Sequence, residues 1–369
     1  MALILNEEQQ MLKTSAKEFL TQKAPVSALR FLRDTKDSVG YDPSLWTEMV
    51  EMGWAALTIA EEFGGMGFGY VGLGQILEES GRTLTASPIV SNLLLGASTI
   101  QIGGSEAQKQ ALLPAIAEGQ LTLTLAFEEQ SAHRPFAVSS TVEQKDGQLV
   151  LNGGKRFVLD GHVAQKLIVS ALYQGEIALF LVDAGAEGVK IDRRLMMDSR
   201  NAANIQFDSV VVQAADQVGN RNTLEQVLDV ARIGLAAEML GTMQEAFERT
   251  IAYLKERVQF KVPIGSFQAL QHRAAMMFSE IEVCKSMVLK ALQAVDAKDK
   301  KVPVLASMVK AKVGEVIQIV TNESIQMFGG IGMTDDEEIG FFMKRARVAQ
   351  QTFGDYNYHL DRFASLNGF

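Results

Sequence analysis

The sequence predicts a multidomain α+β protein with an N-terminal α-helical domain (1–120), a central β-barrel-like domain (121–220) and a C-terminal four-helix bundle (221–369). Three observations predict it. Apolar residues recur at helical intervals over the first third, and short β-branched segments separated by Gly, Asp or Asn fill the middle. Long stripes of helical period then return from about residue 223. At 369 residues the chain exceeds what one core organises, which favours several domains. With 35 Lys and Arg against 44 Asp and Glu, the net charge of −9 argues against nucleic acid as a general partner.

The helical reading of the first domain rests on Leu3, Met11, Leu12, Ala16 and Leu20, then on Leu45, Trp46, Met49, Val50 and Trp54 between Pro43 and Leu57. Gly64, Gly65, Gly67, Gly69, Gly72 and Gly74 break the pattern and predict a turn-rich connection before the next helix. No preceding strand or P-loop lysine accompanies them, so the cluster is not read as a phosphate cradle. From residue 121, LTLTLAF, VSSTVEQ, QLVLNG, KRFVL, KLIVSAL, EIALFLVDA, GVKID and NIQFDSVVV read as strands, with turns at Asp146-Gly147 and Asp160-Gly161 and an end near Gly219-Asn220. In the last domain Leu235, Met239, Met243, Phe247, Ile251, Leu254 and Val258 form one stripe. Pro263 with Gly265 and the stretch DAKDKKVP mark helix connections. The sixteen methionines are expected to fill the core.

The lone cysteine, Cys284, allows neither an internal disulfide nor a multi-cysteine metal site and fits a reducing compartment. His133, His162 and His272 lack metal-ligand spacing, so no metal is expected. Without a secretory pattern or a long apolar run, the expected location is cytoplasmic, with no membrane partner.

Four motifs in order, LWTEMVEMGWAALTIAEEFGGMGFG, LNGGKRFVLDG, YLKERVQFKVPIGSFQ and QMFGGIGMTDD followed by KRARVAQQTFGD, resemble the acyl-CoA dehydrogenase family over nearly the whole chain. The resemblance implies FAD bound between a β domain and a helical bundle. It also implies desaturation of an acyl-CoA thioester, in which a carboxylate takes the α-proton as a hydride leaves for the flavin. Arg257, Gln259, Phe260, Ile264, Phe267 and Gln268 match positions that reach a neighbouring chain's FAD pyrophosphate and adenine, and Gln326, Gly329 and Gly330 match a second contacting segment. A guanidinium suits a pyrophosphate, and glycines let backbone approach it. Lys261 stands where the family usually has glycine.

The chain departs from the family at its own flavin face and at the base. Where the family writes Thr-Glu-Pro-Gly-x-Gly-Ser-Asp, this chain has Phe127 through Arg134 and keeps only Glu128. Where it writes Trp-Ile-Thr-Asn-Gly, this chain has Phe157 through Gly161, with Leu159 in place of the flavin-bonding threonine. The usual glutamate position is Phe353 and the alternative one is Ala231, so Asp355 is the substitute base. Asp355 and His359 alternatively pair with each other or with their surroundings. Asp229 and Arg232 match positions that hold the CoA arm, and otherwise form an exposed intrahelical ion pair.

The run Phe353, Gly354, Asp355 and His359 is similar to the smaller subunits of two-gene enzymes of the pimeloyl-CoA and steroid side-chain types. It implies a heterotetramer with a homologous chain in fatty acid or steroid catabolism, an acyl-CoA substrate, and an electron acceptor such as an electron-transfer flavoprotein. The alternatives are a homomeric enzyme using Asp355 and a flavin-free scaffold.

Overall fold

The computed structural model describes residues 3–369. Its helices are α1 (Glu7–Lys23), α2 (Val26–Asp34), α3 (Pro43–Glu51), α4 (Tyr70–Thr83), α5 (Ser98–Gly103), α6 (Glu106–Ala117), α7 (Arg221–Glu256), α8 (Gln268–Asp296), α9 (Val302–Phe328), α10 (Ile339–Gln351) and α11 (Tyr356–Leu366). A π-helical segment, Ile89–Ala97, precedes α5. The strands are β1 (Leu123–Ala126), β2 (Thr141–Lys145), β3 (Gln148–Leu159), β4 (Lys166–Tyr173), β5 (Glu176–Asp183), β6 (Val189–Leu195), β7 (Asn201–Val212), β8 (Gln217–Asn220), β9 (Val258–Gln259) and β10 (Val262–Pro263). The chain packs as two compact units, one of residues through Phe31, Tyr70–Thr85 and Arg232–Phe369, the other of Leu32–Gly69 and Ala86–Ala231.

In the second unit, β1 to β8 form one mixed sheet in the order β6-β7-β3-β2-β4-β5-β8, with β1 and β2 both parallel to β4. The ladder runs as a path between β6 and β8. Alternation puts Leu151, Leu167, Val169, Phe180, Ile205 and Phe207 into one core. The turn between β2 and β3 is the expected Asp146-Gly147 pair, both residues at positive φ as a two-residue hairpin demands. QLVLNG and KRFVL, expected as two strands, are one strand, β3, kept in register by irregularities between Leu151 and Gly153 and between Lys155 and Val158. β8 carries no strand pattern of its own and pairs with β5.

In the first unit, α1 opens with an Asn6–Gln9 capping box. Helix α4 crosses α7 at glycines, because a Cβ on Gly241 would lie 1.7 Å from the Glu78 carbonyl oxygen and one on Gly81 1.9 Å from that of Glu238. Side chains on either glycine would force the helices apart. Gly72 and Gly74, expected in the loop, belong to α4 instead, and a Cβ on Gly74 would strike Leu292 of α8 at 2.3 Å. The glycine there serves helix packing rather than a turn.

The α7 stripe also ends sooner than expected. The helix stops at Glu256, and Val258 is 53% exposed on β9, because the hairpin that follows turns it outward. Methionines fill the core only in part: Met49, Met239, Met243, Met277 and Met327 are buried, but Met11, Met66, Met197, Met276 and Met333 are exposed. Among the described residues no helix is long and apolar enough to cross a membrane.

Candidate functional site

The segment after α7 is built as a small projecting hairpin. Arg257 closes the helix through its amide to the Tyr253 carbonyl at 2.8 Å, and its own carbonyl accepts from the Ile264 amide at 2.8 Å. Between these bonds β9 pairs with β10, Gln259 facing Val262, and the turn residues Phe260 and Lys261 both sit at positive φ, 54° and 67°. That is the turn class that matches strand twist, here made without glycine. Phe260 is 85% exposed and meets Phe267 edge-to-face at 6.0 Å between ring centroids. Arg257, Gln259 and Gln268 are exposed and Ile264 is half-buried, and the Arg257 guanidinium makes no hydrogen bond or ion pair among the described residues.

The second segment lies beside the first. Tyr253, one turn before Arg257, stacks on Phe328 at 4.3 Å and donates its hydroxyl to the Phe328 carbonyl at 3.3 Å. This pins the end of α7 to the end of α9. Gly329 follows at φ 68°, ψ −143°, a conformation essentially reserved for glycine. Gln326, Gly329 and Gly330 are exposed, and a Cβ on either glycine would meet open space. Tyr253 thus ties the turn just before the 257–268 hairpin to Phe328 of the 326–330 segment, and each segment carries exposed polar or backbone groups.

The 349–359 region is organised in the opposite way. Phe353 is buried at positive φ, and Asp355 is the N-cap of α11, its carboxylate accepting from the Tyr358 amide at 2.8 Å. Asp355 and His359 do not pair with each other: fully buried His359 bonds the Phe353 carbonyl at 3.1 Å, because it lies inside the turn that Asp355 caps. Arg232 Nε donates to the same carbonyl at 3.2 Å and its Nη2 to the Tyr358 hydroxyl at 3.2 Å. Asp229 and Arg232 are each 1% exposed, which corrects the expectation of an exposed ion pair, since α7 turns this face inward. Lys310 donates to the carbonyls of Ala349, Gln350 and Gly354 at 3.0, 3.0 and 3.1 Å.

In the second unit, the segment matching the family's flavin-contacting strand has its two carboxylates committed internally. Glu128 bonds His133 and accepts from the Arg134 amide at 3.3 Å. Glu129 accepts from the Ser139 and Ser140 amides at 2.7 and 3.1 Å, from both serine hydroxyls, and from Lys155 Nζ at 2.6 Å. Burial works to raise the Glu129 carboxyl, but the Lys155 and serine donors outweigh it and hold the group down at about 2. Burial pulls Lys155 down to about 8 against the opposing pull of Glu129. On β3, Phe157 sits at positive φ and is 44% exposed, and the Asp160 carboxylate accepts from the Ser91 hydroxyl at 2.6 Å.

Helices, a β domain and a helical bundle in that order are the architecture observed, and matches to family models identify its class. The acyl-CoA dehydrogenase N-terminal, middle and C-terminal domains match residues 6–120, 125–210 and 219–365. The chain belongs to the acyl-CoA dehydrogenase family, oxidoreductases that act on CH–CH bonds and use FAD.

An acyl-CoA dehydrogenase of Mycolicibacterium smegmatis is 28% identical over 97% of this chain and 98% of its own. A structure of the Tcur3481-Tcur3483 steroid acyl-CoA dehydrogenase is 31% identical with a TM-score of 0.89, covering 98% of both chains. The ChsE4-ChsE5 complex from Mycobacterium tuberculosis shares the fold at a TM-score of 0.92 and 23% identity over the whole of both chains.

Tested against FAD, the two half-sites differ. The exposed hairpin with Gly329 fits a pyrophosphate and an adenine, because an unpaired guanidinium and open backbone are what such groups need. The 127–140 segment and Leu159 do not fit, since the carboxylates are already bonded and leucine offers no polar atom. Sequence reasoning missed Glu129, Lys155 and Lys310. Each looks locally like a solvated charge, and only partners from distant chain segments reveal otherwise.

Proposed function

We propose that this chain is one subunit of a heteromeric FAD-dependent acyl-CoA dehydrogenase, desaturating an acyl-CoA thioester between Cα and Cβ. It lends Arg257, Gln259, Phe260, Ile264, Phe267, Gln268, Gln326, Gly329 and Gly330 to FAD lodged mainly in a homologous partner chain. The observation that carries the reading is the contrast between the outward, unpaired Arg257 hairpin and the internally bonded 127–140 segment. A chain with the first and without the second is suited to complete another chain's site. The paired name of the Tcur3481-Tcur3483 relative supports the same reading.

Bound FAD supplies the hydride acceptor. The roles of this chain's residues follow from their chemistry. Arg257 holds the pyrophosphate by charge and directed donors, and the Phe260–Phe267 pair offers a ring surface to the adenine. Asp355, with one carboxylate face committed to capping α11, is the proposed acceptor for the α-proton wherever this chain's own turn faces substrate. Asp229 and Arg232, both buried, serve the CoA arm by fixing α7 and the Phe353 carbonyl. An acceptor such as an electron-transfer flavoprotein would take up the electrons.

The test is activity with and without the partner. Co-expressed with a homologous acyl-CoA dehydrogenase chain and screened on fatty acyl-CoA and steroid acyl-CoA thioesters, the pair turns over, whereas this chain alone does not. Turnover by this chain alone at full flavin occupancy would overturn the proposal.

A further inference from the structure

Lys310 is a buried cation with an unusual set of partners. It is 2% exposed on α9, and its three donors reach three main-chain carbonyls: Ala349 and Gln350 in the last turn of α10, and Gly354 beyond it. The carbonyl end of a helix carries negative partial charge and leaves its last acceptors without helical partners. An ammonium there satisfies two such orphans and, through Gly354, ties the next residues to the same point. Phe353 among them is strained at φ 61°, and Gly354 follows at φ 107°, which glycine adopts freely. Arg232 from α7 and His359 from α11 hold the intervening Phe353 carbonyl.

We propose that Lys310 is the positioning residue of the 352–355 turn, a proton-bearing latch that fixes where Asp355 stands and where α11 begins. The charged and titratable groups facing it are Arg232 on α7, Arg345 on α10, and Asp355 and His359 at the start of α11. Burial is the largest influence and lowers the Lys310 ammonium to about 7; Arg232 and Arg345 push the same way, and Asp355 opposes them. The latch is therefore fully charged in mildly acidic solution and weakens as pH rises through neutrality, because the neutral amine has two donors for three carbonyls. The catalytic consequence rests on the proposed role of Asp355. The positioning itself does not.

Amide hydrogen exchange of residues 350–358 in the full chain, in complex with its partner where one is required, separates the two. Wild type and Lys310→Met are compared at matched pH, so that intrinsic exchange chemistry cancels in their ratio. At pH 6 the variant exchanges this segment at least tenfold faster, and the ratio narrows by pH 9, where the neutral amine keeps at most two of the three bonds. Equal exchange at pH 6, or a ratio constant with pH, would overturn the proposal, since a stem that only fills space has no pH dependence.

A second variant covers the case in which Lys310→Met fails to fold. Asp355→Asn keeps an N-cap and Lys310 but removes the facing carboxylate, so the pH at which wild-type protection declines moves lower; an unmoved midpoint would overturn the proposal. Either result stands whether or not the complex dehydrogenates acyl-CoA, which keeps the latch separate from the functional reading.

Discussion

The 257–268 hairpin and the 349–359 turn both use non-glycine residues at positive φ, yet they dispose of their polar groups in opposite directions. At the hairpin, Arg257, Gln259 and Gln268 face solvent and the strained residues, Phe260 and Lys261, stand at an exposed tip. At the turn, Arg232, His359 and Lys310 converge from three helices on main-chain carbonyls. Strain held by inward bonds serves the molecule's own shape, while strain at an exposed tip with an unpaired cation beside it is available to a ligand. The 127–140 segment, whose carboxylates bond to Lys155, His133 and two serines, falls with the turn rather than with the hairpin.

That contrast can be broken most forcefully at Glu129. Glu129→Ala leaves the Lys155 ammonium buried without its carboxylate and is expected to cost about 3–5 kcal/mol in urea unfolding. FAD content of the assembled complex should stay unchanged in the surviving folded fraction; loss of flavin without loss of stability would place this segment with the binding surface. Arg257→Ala is the mirror experiment. Removing charge-assisted hydrogen bonds weakens FAD binding in the complex by about 1.5–3 kcal/mol, read by flavin titration, while unfolding stability stays within about 0.5 kcal/mol of wild type.

Acid sharpens the inward side further. Glu129 is held at about 2 against an ordinary 4.5, so its stabilisation is fully present above pH 4.5 and is lost as pH falls through about 2. After allowance for partial solvent screening this is on the order of 2 kcal/mol, and the acid limb of a stability–pH curve should flatten in Glu129→Gln. The smallest effect expected is that of Phe260→Ala, which removes one ring of the exposed pair. It should weaken FAD binding by about 0.5–1.5 kcal/mol without a measurable change in stability.

What the sequence made legible follows from how local each signal is. The Asp146-Gly147 hairpin and the strands from β1 to β7 depend on neighbours a few residues away, and pattern reading finds them. The order of the motifs carried the family and pointed to the Arg257 and Gln326 segments. Charged residues on helices misled. Lys310, Arg232 and Asp229 resemble solvent-facing positions because periodicity treats charge as outward, and the carbonyls that receive Lys310 lie about forty residues further along. Gly74 misled for a related reason: a glycine that admits a neighbouring helix looks like a glycine that ends one. Val258 continued the helical period of α7 although the Phe260-Lys261 turn had already claimed it for a hairpin.

Counting FAD per polypeptide in the purified heteromer, by released-flavin absorbance against chain concentration, bears most directly on whether this chain completes a neighbour's site. One FAD for every two chains is expected, falling together with dehydrogenase activity when Arg257 of this chain is replaced by alanine. One tightly held FAD on every copy of this chain purified by itself, unaffected by that replacement, would contradict it.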